Sequence, residues 1–173
     1  NTSTLRRWIY LQKGCRTRGL KRKSFFSILP GPNSASEMQR RSKAAYQQVT
    51  QEITQELGET DTKHVYGLGA LHSFLGMVYA SSGDAASAVS EGRKGMAMDP
   101  TSEDPFEGPQ REETMALIYA LLGDADNAIP ILKRWINVPS STGIAPTLLR
   151  VDEFWDPIRN DPRFQELVAE KKP

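Results

Sequence analysis

A single cysteine, Cys15, is all the thiol chemistry in this 173-residue chain. One thiol closes no intramolecular disulfide, so a stapled secreted miniprotein is excluded, and Cys15 reads as a spectator. Histidine is nearly as scarce: His64 and His72 stand eight residues apart. Two helical turns is too far for co-ligation, and no thiolate or carboxylate pair nearby completes a metal site. No stretch approaches the roughly 18 apolar residues of a membrane span. The phosphate-binding loop is missing as well. Gly67-x-Gly69 lacks a third glycine and follows no strand. No kinase motif is present. Glu103, Asp104 and Glu107 lack the glycine and spacing of a calcium loop, and read as a solvated charged loop. The expectation is a chain without catalytic residues, cofactor or metal.

Acidic residues are nearly absent from the first quarter. Residues 1–43 hold eleven basic side chains against Glu37 alone, a net of +10. The remaining 130 residues carry eleven bases and twenty acids, a net of −9. Such asymmetry marks an arm with its own partner. Residues 1–33 show no sustained period and end at Pro30-Gly31-Pro32, so they read as a poorly ordered basic arm. Arg6, Arg7, Arg16, Arg18, Lys21, Arg22 and Lys23, interleaved with Trp8, Tyr10, Phe25 and Phe26, are the candidate anion-binding set. The basic start is not followed by a long apolar region and cleavage site, so the sequence reads as cytoplasmic. Opening on Asn1 rather than methionine, it also reads as a fragment or processed product.

From Ser34 the pattern turns helical. Ser34-Ala35-Ser36-Glu37 has the form of a capping box. Tyr46, Val49, Ile53 and Leu57 follow at helical spacing before Gly58. A second helix is expected from about Thr62 to Ser82, and a third from Ala85 to Met98. Between them, Gly83 supplies a left-handed stop and Asp84 a cap. Pro109 suits the first turn of a fourth helix, and Gly123-Asp124 repeats the earlier punctuation. Pro130 fits a regular fifth helix only if Asn127, not Asp124, caps it.

The chain repeats itself with a shift of forty residues. Leu75-Gly76-x-x-Tyr79, Gly83-Asp84 and Ala88 match Met115-Ala116-x-x-Tyr119, Gly123-Asp124 and Ala128. These residues resemble the tetratricopeptide repeat, W-x2-L-G-x2-Y followed by A-x3-F, A and P over about 34 residues. Here His72 stands for the tryptophan, Gly92 for the phenylalanine and Gly95 for the later alanine, and the second copy has Trp135 near its end. Small residues at 76 and 88 let the helices approach, and Leu75 and Tyr79 are expected to fill the seam. The run from Leu149-Arg150-Val151-Asp152 through Trp155-Asp156-Pro157 to Asp161-Pro162-Arg163-Phe164 is similar to the end of bacterial tetratricopeptide regions. Those regions accompany serine/threonine kinase, adenylate-cyclase or winged-helix regulator domains. Asp156-Pro157 and Asp161-Pro162 each read as a cap plus first-turn proline.

The resemblance implies an all-α, right-handed superhelix of antiparallel helix pairs. Residues 34–58 would be a half repeat, 62–102 and 109–140 two repeats, and 142–170 a C-terminal cap helix pair. It implies a non-catalytic interaction or scaffold module of a larger bacterial signalling protein, taking a protein, a peptide or a neighbouring domain. The family register places Ala70, Ser73, Met77 and Ala80, then Gln110, Glu113, Leu117 and Ala120, on the inner face. Ser73, Met77, Ala80, Gln110, Glu113 and Leu117 form the expected partner groove. The alternative is nucleic-acid or anionic-surface binding through the arm.

Overall fold

The computed structural model describes residues 44, 46–48, 50–55, 58, 67–136 and 144–169. The basic arm, the capping box at 34–37, the start expected at Thr62 and residues 137–143 lie outside the described residues. Helices account for the architecture, with no strand among the described residues. They are α1 (Leu68–Ser82), α2 (Ala85–Met98), α3 (Gly108–Leu121), α4 (Ala125–Trp135), α5 (Pro146–Val151) and α6 (Pro162–Val168), with a 3-10 turn at Glu153–Ile158 before α6. Residues 50–55 are helical too. The helices pack as antiparallel pairs. α1 lies against α2, α3 leans on both, α4 returns along α3, and the 3-10 turn closes over α3.

Each pair is joined by the same short turn. Gly83 takes a left-handed φ of 86° and Gly123 one of 75°, a conformation in which any other residue would be strained. The amides of Asp84 and Asp124 then reach back to the carbonyls of Tyr79 and Tyr119, each at 2.9 Å. The aspartate side chains turn forward and accept the amides of Ser87 and Asn127, both at 3.1 Å. One residue stops a helix and the next starts another, and this keeps the connection short.

The first pair is unusually close. A Cβ on Gly76 would stand 2.9 Å from the Ala88 carbonyl oxygen, and one on Gly95 would stand 2.7 Å from that of Gly69. Backbone meets backbone, so only glycine fits. Leu75 does not fill this seam as expected. It joins Ile53, Leu71 and Val78 in a separate buried cluster, which ties α1 to the preceding helical residues. The Tyr46 hydroxyl meets Ser81 near the end of α1, and burial pushes its pKa up.

Three expected boundaries move. α1 begins at Leu68, with Gly67 as its N-cap at a φ of 122° that no helix continues through. α4 is capped by Asp124, and Asn127 only donates to that cap, so Pro130 sits inside the helix. Pro130 is exposed and the bond it forfeits is the one to the Asp126 carbonyl, in the first turn, where water can replace it. Asp156-Pro157 starts no helix. Asp152 accepts the Phe154 amide at 3.2 Å and begins the 3-10 turn instead, carrying Pro157 within it. Asp161-Pro162 does open α6.

The larger core runs from Met77 and Ala80 through α3 and α4 to the C-terminal segment. Trp155 and Phe164 share it with Leu132, Trp135 and Leu149, their rings stacked with centroids 6.3 Å apart. Arg163 ties this end together, bridging Asp161 at 2.7 Å and Asp126 at the start of α4 at 2.8 Å. Its hydrogen bond is the main cause that holds the Asp161 carboxyl down at about 2.

Candidate functional site

The expected inner face is not an open groove. Ser73, Met77, Ala80 and Leu117 are all buried, as are Ala70 and Ala120, while Gln110 and Glu113 are half-buried. The cause is the close approach of the first pair. With glycine at 69, 76 and 95, α1 sinks against α2 and Ser73 packs directly on Gly95. Its hydroxyl has no hydrogen-bond partner there. Met77, Ala80 and Leu117 are drawn into the core shared with α4 and the C-terminal segment. Four of the six expected groove positions are therefore buried. The arginines and lysines of the arm, Arg6 to Lys23, fall outside the described residues.

A polar network that sequence reasoning missed stands where α2, α3 and α4 meet. Arg111 is only 1% exposed, although arginine is rarely buried without partners. Its Nε donates to Asp99 at 2.8 Å, and its Nη2 donates to Glu107 one helical turn back. The next residue, Glu112, accepts from three directions. Thr101 Oγ1 reaches it at 2.7 Å, Arg134 at 2.9 Å and the Trp135 indole N–H at 2.9 Å. Arg134 also lies over the Trp135 ring, 4.9 Å from its centroid. Comparison of positions forty residues apart makes the arrangement intelligible. His72 and Gly95 of the first pair become Glu112 and Trp135 of the second, so the aromatic bulk sits on the second helix and the first supplies its acceptor. In the first pair, His72 Nδ1 meets Glu91 at 2.6 Å, with Lys94 on the same carboxylate at 2.6 Å. Burial pushes Glu91 up, but the bonds from Lys94 and His72 outweigh it and hold the pKa below the usual carboxylate value.

The network grips the loop between α2 and α3 from behind. Asp104 accepts the amides of Phe106 at 2.9 Å and Glu107 at 2.8 Å. Gly108 lies so near Thr101 that a Cβ would stand 2.6 Å from the Thr101 nitrogen. The loop is thus built, not merely solvated, which corrects the expectation for Asp104 and Glu107. It displays Phe106, 63% exposed, beside exposed Ser102, Glu103 and Pro105. Within the polar run Gln110–Thr114, nothing local distinguishes the interior Arg111 and Glu112 from the half-buried Gln110 and Glu113.

Among the described residues, no group of three His, Cys, Asp or Glu side chains is placed to hold a metal ion. None of their helices is long and apolar enough to cross a membrane. Comparison with family models, curated proteins and solved structures finds no match to this chain.

Proposed function

We propose that the chain is a tetratricopeptide-like interaction module, a right-handed superhelix of helix pairs closed by a C-terminal cap. In this reading it acts without catalysis, as a scaffold within a larger bacterial signalling protein. The observation that carries the proposal is the duplicated turn. Gly83-Asp84 and Gly123-Asp124, forty residues apart, share the left-handed glycine, the backbone bond to a tyrosine carbonyl and the aspartate cap. Helix pairs that repeat a turn this closely, each leaning on the one before, are the unit from which solenoids are stacked, and solenoids commonly serve as binding surfaces. The partner is a protein, a peptide or a neighbouring domain. It meets the exposed faces, not the buried groove set, and Gln110 and Glu113 are the two of the six expected residues that reach the surface.

Affinity capture with the full chain as bait tests this reading. The pair Gln110→Lys and Glu113→Lys should leave the helical signal and melting curve intact while removing the captured protein. Undiminished capture by a folded double variant sinks the placement. Capture lost only together with the fold counts equally against it, because the reading requires a surface effect. Nucleic-acid or anionic-surface binding by residues 1–33 is the second reading, and it is favoured by one observation, their excess of positive charge.

A further inference from the structure

We propose that the exposed face of α2, extended by its counterpart on α4, is a docking surface for an acidic, amphipathic peptide of a partner protein, with Arg93 and Lys133 as its free cations. It does not involve Gln110 or Glu113, so its failure leaves the reading above standing. The starting point is where positive charge sits in the helical body. Residues 67–136 hold ten carboxylates and only five bases. One base, Arg111, is buried among acids. The other four are exposed and stand as two adjacent pairs, Arg93-Lys94 on α2 and Lys133-Arg134 on α4, forty residues apart. The repeat that duplicates the Gly-Asp turn duplicates the cations as well. Within each pair the two members differ. Lys94 holds Glu91 at 2.6 Å and Arg134 holds Glu112 at 2.9 Å. Arg93 and Lys133 have no ionic or hydrogen-bonding partner among the described residues. Compensation of the helix dipole accounts for Lys133, in the last turn of α4, but not for Arg93, which lies before the last turn of α2.

The surroundings of Arg93 supply the rest of the surface. With Lys94 it lines a groove of about 640 Å³ along α2, to which Ala85, Ala86, Val89 and Ala97 give an apolar lining. Short side chains leave room for a bulkier apolar group from outside, and the cations stand within the same groove. Charge complementarity then selects the occupant. An apolar lining beside unpaired cations suits a segment whose leucine-type side chains lie on the alanines while its carboxylates reach the cations. Arginine adds a planar fork that a carboxylate can meet with two hydrogen bonds. Nucleic acid fits less well. Among the described residues no aromatic ring lines the groove to stack on a base, and alanines offer nothing to a sugar–phosphate backbone.

Fluorescence anisotropy of the full chain with a fluorescein-labelled peptide of repeated Leu-Glu-Asp units tests the docking. Arg93→Gln/Lys133→Gln should weaken binding about 5-fold, since each exposed charge pair lost is worth a factor of about 2 to 3. Arg93→Lys/Lys133→Arg, which keeps both charges, should bind within about 2-fold of the wild type. Ala97→Glu puts a carboxylate into the groove and should by itself weaken binding to a similar degree. Arg93, Ala97 and Lys133 are all exposed, so the melting temperature should stay where it is. Unchanged affinity in the glutamine pair overturns the proposal. An equal loss in Arg18→Gln/Arg22→Gln also overturns it, by assigning the peptide to the basic segment. A peptide with serine in place of leucine should bind more weakly, and equal binding would remove the groove from the account. If oligothymidine binds more tightly than the peptide and the glutamine pair abolishes that binding, the occupant is nucleic acid and the proposal falls. Self-association of the wild type that the glutamine pair abolishes overturns it too, by making the occupant a second copy.

Discussion

Glu112 shows how much one side chain can organise. Its two carboxylate oxygens take a hydroxyl from the loop, a guanidinium from α4 and the indole N–H of buried Trp135. Truncation to alanine leaves that N–H without an acceptor, and an unpaired buried donor costs about 1–3 kcal/mol. Together with the loss of the loop anchor, Glu112→Ala should lower stability in urea by about 3 kcal/mol. Arg134→Ala should cost under about 1 kcal/mol, since its side chain is 57% exposed and an exposed ion pair contributes little. Equal losses would mean that the ion pair, and not the indole contact, holds the network. Neither residue stood out in the sequence. A charged side chain in a helix is usually solvated, and only the approach of Thr101, eleven residues before, and Trp135, twenty-three after, makes this one interior.

At the scale of elements, the turns were readable and the packing partly so. The expected limits of α2, Ala85–Met98, are those observed, because glycine's left-handed turn and aspartate's cap act within a few residues of themselves. Where a boundary depends on which of two aspartates wins, local reasoning chose badly. Asp152, not Asp156, begins the 3-10 turn, since Trp155 and Phe154 must both turn inward. The α1–α2 seam makes a sharper test. Gly95→Ala forces a Cβ against the Gly69 carbonyl, and backbone cannot yield as a side-chain tip can. The expected loss is about 1–3 kcal/mol, typical of overpacking. Gly92→Ala meets only the ends of Met115 and Ile118, and should cost less. A chemical-denaturation series of the two variants checks the order, and a reversed order would show that the helices part more easily than their glycines suggest.

For the whole molecule, the C-terminal segment decides whether the core ends in protein or in water. Trp155 and Phe164 are buried against Leu132, Trp135 and Leu149. Removing a buried aromatic typically costs about 3–5 kcal/mol, a large share of the 5–15 kcal/mol usual for a domain. Trp155→Ala should therefore lower the melting temperature sharply, and the uncovered end should associate at higher concentration. Calorimetry and light scattering read the two effects. A variant that melts like the wild type and stays monomeric would make residues 152–168 an appendage and not part of the core.

By itself, the sequence determined that the chain is helical, where its two Gly-Asp turns fall, and that its charge divides sharply near residue 43. These features arise from backbone preference, periodicity and composition, which act locally. The tertiary structure alone decided which faces are free. The sequence marks Gly76 as a point of close approach, but only the structure shows that Gly69 and Gly95 share the α1–α2 contact, which carries Ser73 inward with α1. It likewise decided that Arg111 and Glu112 are interior while Phe106 faces water. Burial is a property of distance between segments far apart in the chain, and residue type fixes only what each exposure costs.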